Sequence, residues 1–167
     1  MWTHSLHLPF HRRQSVQIFL AWVIAALTAC TSTPEIKPQV QQTQPPLISY
    51  ALSLQGTPYR YGKETLKEGF DCSGFVKHVY GRQGIWLPRT VGEMASTLPS
   101  VSKYDLRSGD LVFFNTSGRT YSHVGIFICD DKFIHAPSRR TGRVLVSSMN
   151  NKYWRKRFVG VRRPGMH

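Results

Sequence analysis

The apolar residues of this chain change their periodicity once, near residue 100. Before that point they recur at helical spacing, as they do from Phe75 to Tyr80, which predicts a helix from Cys72 to about Gln83. Beyond it they form short apolar runs separated by turn residues, the pattern of β-strands. Helices that come first and antiparallel strands that follow indicate an α+β domain, in which the helices pack on one side of a small sheet.

The same pattern predicts the individual elements. Two further short helices are expected near residues 47–54 and 91–98. Five strands are expected, at residues 111–114, 123–129, 133–136, 144–146 and 158–161. Residues 59–62 are predicted to be extended and residues 63–69 to form a polar loop. Two consecutive predicted strands each carry a histidine, His123 on the first and His135 on the second.

The first thirty residues have the pattern of an export signal. Arg12 and Arg13 precede the apolar run Ile18–Leu27. That run is too short to span a bilayer comfortably, since a span takes about 20 apolar residues. It ends in Leu-Thr-Ala-Cys, which resembles the bacterial lipobox, where the cysteine is acylated. We therefore expect residues 1–29 to be a lipoprotein signal peptide and Cys30 to carry the lipid that anchors the chain to a membrane. An uncleaved membrane anchor is the alternative.

A flexible linker is expected to follow the lipidated cysteine. Residues 30–46 are rich in Thr, Ser and Gln and hold four prolines, so they have little to bury. Residues 47–167 are then the folded domain, which we expect to be monomeric. In Gram-negative lipoproteins an aspartate after the cysteine usually retains the protein in the inner membrane, and Thr31 stands there instead. The chain is therefore expected in the cell envelope, on the outer membrane, facing the periplasm.

Cys72 is the candidate nucleophile. It begins the predicted helix, and the partial positive charge of a helix N-terminus favours a thiolate. A small buried cysteine with no chemical role is the alternative interpretation. A nucleophile needs a base, and the base needs a group that fixes its tautomer. Cys72, His123 and His135 could fill these three roles in that order.

The strand register makes this arrangement difficult. If residues 130–131 form a two-residue turn, His135 lies opposite Ile126, on the other face of the sheet from His123. A three-residue loop puts both histidines on one face, but about 13 Å apart along the strand. The pair therefore needs a β-bulge or strong coiling, and Gly125 is the expected place for it.

The remaining cysteine, Cys129, offers a structural alternative. A periplasmic protein can form disulfides, so a Cys72–Cys129 bridge competes with a free nucleophile. We interpret Cys129 instead as an ordinary strand residue, about 20 Å along an extended strand from His123. The cysteines have neither a CxxC spacing nor a zinc-ligand spacing, and no metal or cofactor is expected.

Six motifs, taken in order, resemble those of the NlpC family of cell-wall cysteine peptidases. They are GTPYRYG at residues 56–62, DCSGFV at 71–76, LPR at 87–89, GDLVFF at 109–114, HVGI at 123–126 and FIHA at 133–136. Tyr153-Trp154, with Arg162-Arg163 near the end, resembles the lipoprotein branch of that family. The resemblance covers nearly all of residues 47–163. It implies a papain-like fold and catalysis without a metal or cofactor.

The resemblance also implies roles and a substrate. The family's nucleophile, base and orienting residue match Cys72, His123 and His135. Tyr59 and Ser73 fall where the family holds the carbonyl oxygen or the substrate. The implied substrate is peptidoglycan, cut at bonds that involve D-glutamate or D-alanine and diaminopimelate. Lys63 stands where many relatives have a second glycine, in a loop expected to border the cleft.

Two alternatives on the same fold stay open. One is a non-catalytic wall-binding lipoprotein, and the other is a thiol acyltransferase that passes its acyl group to an amine.

The net charge of +13 favours an anionic partner, and the basic residues cluster at 139–143, 152–157 and 162–163. Nucleic acid is not expected, because the export signal and the absence of an exposed aromatic-basic motif count against it.

Overall fold

A computed structural model describes residues 45–165 of the chain. The predicted signal peptide, the predicted lipidation site at Cys30 and nearly all of the predicted linker lie outside the described residues. Within residues 45–165, no helix has the length and apolar character needed to cross a bilayer.

Within residues 45–165 four short helices form, three of them before the main strands. Their bounds are α1 Pro46–Ser53, α2 Cys72–Gly81, α3 Val91–Thr97 and α4 Lys152–Arg157, with a 3-10 turn at Lys103–Asp105. The first three confirm the helices predicted from periodicity. The fourth was not predicted, because its run of basic residues has no apolar spacing for six residues to display.

Eight strands in the described part of the chain form two antiparallel sheets. Their bounds are β1 Glu64–Thr65, β2 Gly69–Phe70, β3 Ser100–Val101, β4 Leu111–Phe114, β5 His123–Phe127, β6 Lys132–His135, β7 Leu145–Ser148 and β8 Phe158–Arg162. β1 and β2 make a hairpin where a polar loop was predicted. The other six form one sheet in the order β3-β8-β4-β5-β6-β7. The α+β prediction is confirmed, with the five predicted strands inside this sheet.

Both faces of the sheet are covered, which explains why the four residues of β4 are all buried. Leu111 and Phe113 face the core shared with α1, α2 and α3. The alternate residues Val112 and Phe114 face a second, aromatic cluster that includes Trp154 of α4. Burying one such side chain completely contributes about 1.5–3 kcal/mol. The predicted helices therefore lie on one side, and α4 covers the side that the sequence left open.

Candidate active site

Cys72 is the first residue of α2 and Asp71 caps that helix. The Asp71 carboxylate accepts hydrogen bonds from the backbone N–H of Gly74 at 2.7 Å and of Gly62 at 2.8 Å. An N-cap carboxylate satisfies helix N–H groups that have no partner within the helix. The second bond fastens the Tyr61–Gly62 turn to the same carboxylate. The position of Cys72 at the start of the helix agrees with the sequence prediction.

Gly74 lets the chain approach the start of α2 closely. A Cβ atom at this position would lie 2.2 Å from the carbonyl oxygen of Lys63 and 3.0 Å from the Asp71 carboxylate. That same Lys63 oxygen accepts a hydrogen bond from the backbone N–H of Asp71 at 3.0 Å. The residue before the nucleophile is thus held directly by the loop that precedes β1.

An ionic network supports the cap from behind. Arg89 binds the Asp71 carboxylate with two nitrogens, at 3.1 and 2.8 Å. A third nitrogen lies 3.0 Å from Glu64, which also binds Lys77. Bidentate guanidinium–carboxylate pairs fix direction as well as distance. The LPR motif therefore contributes Arg89 as the partner of Asp71.

Ser73 belongs to this network through its side chain. It is buried, and its hydroxyl accepts a hydrogen bond from Arg89 at 2.9 Å and contacts Asp71 at 3.4 Å. The side chain is therefore occupied away from the cleft. A contact of Ser73 with substrate stays a prediction, and it would fall to the backbone N–H.

The thiol of Cys72 sits against the start of β5. Burial raises the pKa of Cys72 to about 11, and the charge of Asp71 adds to the increase. The backbone N–H groups of Val124, Ser73 and Cys72 itself lower this pKa, but by less. The expected acidifying effect of the helix start is thus present and outweighed. A neutral thiol is the resting form, next to the residue that follows His123.

His123 and His135 form a direct pair. Nε2 of His123 lies 2.7 Å from Nδ1 of His135, and Nε2 of His135 lies 2.9 Å from the hydroxyl of Ser147 on β7. If His123 donates to His135, and His135 to Ser147, Nδ1 of His123 is left to accept a proton. This is the tautomer that a base for the Cys72 thiol requires.

The register explains how the two rings meet. Ile126 pairs with Ile134, and continuing this register by one step places His135 opposite Gly125, two residues from His123. The β5–β6 turn is one residue longer than the two-residue turn considered from the sequence, and Asp130 and Asp131 in this turn both adopt positive φ. The bulge expected at Gly125 is therefore wrong.

Gly125 has a different use. A Cβ atom there would come within 2.6 Å of the Phe133 ring and 3.1 Å of the His135 Cβ. Its missing side chain leaves space beside His135, so the two imidazoles can lean together diagonally across the strand pair.

Trp154 covers the histidine pair. Its ring stacks on His123 at 5.3 Å between centroids, with 28° between the ring planes, and meets His135 edge-on at 4.8 Å. Phe114 and Phe133 close the remaining sides. These side chains exclude water from the hydrogen bond between the imidazoles. In the sequence Trp154 is marked only as part of a family motif, and no local pattern marks Ser147.

The dry surroundings set the charge of the pair. Burial lowers the pKa of His123 to about 3. The pKa of His135 is also well below its usual value, because of burial and the neighbouring His123. Both imidazoles are therefore neutral at neutral pH. A neutral thiol at the backbone of Val124 and a neutral imidazole on the preceding residue, His123, are suited to proton transfer during attack.

Tyr59 lies near the same thiol. Its pKa is raised, first by burial and then by the charges of Cys72 and Asp71, while Arg139 lowers it. The phenol therefore keeps its proton at neutral pH and can donate a hydrogen bond. This suits the role predicted for Tyr59 in holding a carbonyl oxygen.

Cys72 and Cys129 are both free thiols, so the alternative of a bridge between them is wrong. Cys129 is exposed and lies in the turn after β5 rather than in the strand. Among residues 45–165, no group of three or more His, Cys, Asp or Glu side chains could hold a metal ion.

Comparison with known proteins places this geometry in context. The model of the NlpC/P60 family matches residues 56–163. A protein of Haemophilus influenzae named "Probable endopeptidase" is 48% identical over 110 residues, which are 65% of this chain and 66% of that protein. The Escherichia coli K12 protein named murein DD-endopeptidase MepS/murein LD-carboxypeptidase is 46% identical over 110 residues, or 65% of this chain and 56% of its own length.

A solved structure shows the same fold. The crystal structure of an NlpC/P60 family protein from Bacillus cereus superimposes with a TM-score of 0.66 at 32% identity. The match covers 72% of this chain and 41% of that one. The chain thus spans between two fifths and two thirds of the length of these relatives.

Proposed function

Because this chain belongs to the NlpC/P60 family, we propose that it is a cysteine endopeptidase that hydrolyses the stem or cross-link peptides of peptidoglycan. The observation that carries the proposal is the hydrogen-bonded line from His123 through His135 to Ser147, which begins one residue before the place where the Cys72 thiol meets the backbone. The thiol lies at the backbone N–H of Val124, and the two imidazoles are 2.7 Å apart. Relatives named murein endopeptidases support the substrate class.

The reaction starts from the neutral Cys72 thiol and the neutral His123 imidazole. As the Cys72 sulfur bonds to the carbonyl carbon, its proton passes to Nδ1 of His123, and the carbonyl oxygen gains the negative charge. Collapse breaks the C–N bond, and His123 returns the proton to the leaving amine, giving an acyl-enzyme. Water then attacks the thioester with His123 as base, releasing the acid and restoring the thiol.

Two donors are available for the developing negative charge. The backbone N–H of Cys72 is at the free N-terminal end of α2, and the Tyr59 hydroxyl stays protonated. Fixed donors that face the oxygen only in the transition state lower the barrier without tightening substrate binding. His135 orients His123 and shares the charge that forms on it.

The anchor and the location belong to the same proposal. Cys30 carries the lipid, and the domain acts as a monomer at the outer membrane, facing the periplasm. The apolar run that ends in Leu-Thr-Ala-Cys supports this. Labelling of cells with a palmitate analogue tests it: label on the wild-type chain and none on Cys30→Ala is the expected result. Equal label on both chains would refute it.

Digestion of purified peptidoglycan, followed by mass spectrometry of the fragments, tests the peptidase. The wild type should release new stem-peptide termini, and Cys72→Ser should release none. Cys129→Ser is the matched control, because it removes the other free thiol of the described domain from an exposed turn, and it should cut like wild type. Full activity of Cys72→Ser would contradict the mechanism.

The same experiment separates the alternatives. Fragments that carry an added amine in place of a free acid would indicate acyl transfer. Binding to the wall with no cutting by the wild type would indicate a non-catalytic wall protein.

A further inference from the structure

An open cavity of about 400 Å³ lies beside the proposed active site. Its lining is almost wholly cationic and phenolic, with no acidic and no aliphatic side chain. The lining residues are Tyr59, Arg60, Tyr61, Lys63, Arg139 and Gly142. This composition suits an anion with hydrogen-bond acceptors better than an apolar group.

The two walls of this cavity are fixed to the two halves of the active site. On one wall the carbonyl of Lys63 holds the backbone N–H of Asp71, the residue before Cys72. The other wall is the loop that follows β6 directly after His135, and its Gly142 carbonyl accepts from the Tyr59 N–H at 2.8 Å. A substrate at Cys72 therefore has the cavity next to it.

One cation in the cavity is uncommitted. Lys63 pairs with Glu68 at 2.6 Å, and a nitrogen of Arg60 donates to the Tyr59 carbonyl at 3.1 Å. Arg139 is exposed and, among residues 45–165, has neither a carboxylate nor a hydrogen-bond partner. It lies close enough to Tyr59 for its charge to act on the phenol.

Other arginines of the domain are used differently. Arg89 is bound to Asp71 and Glu64, and Arg163 is bound to Asp110. These guanidinium groups hold the fold together and are not available to a ligand. Arg139 is thus set apart from them by its place in the cleft as well as by its missing partner.

We propose that Arg139, on the side of this cavity next to Tyr59, forms a carboxylate subsite that selects stem peptides with a free carboxylate beside the bond to be cut. The inference rests on the proposed peptidase function and names what that site selects. A planar guanidinium matches a carboxylate with two parallel hydrogen bonds, whereas a carboxamide has one acceptor and no charge. Arg60 and Lys63 add positive charge around it.

A pair of stem peptides that differ only in that group tests the proposal: one with free carboxylates and one with the same carboxylates converted to carboxamides. For the wild type we expect carboxamidation to raise KM about tenfold with kcat nearly unchanged, since one charge-assisted contact is lost and the cavity is open to water. Arg139→Gln should remove most of this discrimination.

Arg140→Gln is the matched control. Arg140 is the adjacent exposed arginine and does not line the cavity, so this variant removes the same net charge and should keep the wild-type ratio. Equal KM values for both peptides in the wild type, or equal loss in both variants, would overturn the subsite.

Calorimetric titration of the Cys72→Ala protein with the two peptides tests the subsite without any cleavage. Preference for the free carboxylate that disappears with Arg139→Gln supports the subsite even if the wild type cuts neither peptide, in which case the peptidase proposal alone falls. Equal affinity of the Cys72→Ala protein for the carboxylate and the carboxamide peptide overturns the subsite, whatever the cleavage result.

Discussion

The nucleophile and the histidine pair are held in place by opposite means. The start of α2 is fixed by charge, with Asp71 bound to Arg89, and Arg89 bound in turn to Glu64. The histidine pair is fixed by shape, inside a wall of Trp154, Phe114 and Phe133. One half is partly wet and ionic, and the other is dry and aromatic.

This difference fits what each half must do. Cys72 must meet substrate, so it stays partly exposed, and charges beside it can adjust its pKa. His123 must stay neutral and point one nitrogen at the thiol, which exclusion of water achieves. Disturbing the two halves should therefore have different signatures: salt and thiol reactivity for the first, and pH profile for the second.

The largest effect is expected on the dry half, from His135→Ala. It leaves Nε2 of His123 without its partner, so the ring can turn or change tautomer. We expect kcat/KM to fall about 100-fold or more, while Cys72 still reacts with a small alkylating agent. His135→Asn, which restores an acceptor, should recover part of the loss. A rate near wild type for His135→Ala would show that the pair does not orient the base.

The second largest effect is expected from Trp154→Ala, which tests whether the histidine pair is shielded from water. Water reaching His123 would raise its pKa from about 3 toward 6.5, so the acid limb of kcat/KM should move to higher pH. The rate at neutral pH should fall about tenfold or more from lost positioning. Trp154→Phe keeps an aromatic cover and should shift the limb less. An unmoved limb in Trp154→Ala would contradict the role given to Trp154.

The same lowered pKa has a consequence for stability. In the unfolded chain a histidine takes up a proton below about pH 6.5, while the folded His123 takes one up only near pH 3. Stability from this group is therefore fully present above about pH 6.5 and is lost as pH falls toward 3, by about 1.4 kcal/mol per pH unit. Denaturant melts across this range should show a shallower loss for Trp154→Ala.

Close packing at the wet half is tested by Gly74→Ala. Its Cβ would meet the Lys63 carbonyl, a backbone atom that cannot swing away. We expect a loss of about 1–3 kcal/mol in the free energy of unfolding. Gly81→Ala in the same helix is the control: its Cβ meets nothing within 4 Å, and the free energy of unfolding should rise by up to about 1 kcal/mol. Equal free energies for the two variants would contradict this packing.

The smallest effect is expected from Arg89→Gln. It leaves the charge of Asp71 uncompensated, and that charge raises the pKa of Cys72. Alkylation of Cys72 at fixed pH should slow by up to about tenfold, or about one pKa unit. Added salt should narrow the difference, because partly exposed charges are screened. Lys67→Gln, on an exposed loop residue, is the control. Faster alkylation in Arg89→Gln would reverse this interpretation.

Much of the site followed from local patterns. The helix that Cys72 begins and the strands that carry His123 and His135 were predicted, because each depends on residues within one or two turns of chain. The short elements escaped prediction for the same reason. The hairpin β1–β2 and helix α4 are too short for a period, and contacts with distant residues stabilise them.

The sequence by itself determined which side chains carry the chemistry and on which elements they lie. Tertiary structure decided that the two imidazoles touch, since this depends on the β5–β6 turn and the space left by Gly125. It also decided that Trp154 seals them and that the thiol is neutral at rest. Register, water exclusion and pKa are set by atoms far apart in the chain, and no local pattern encodes which of them will pack together.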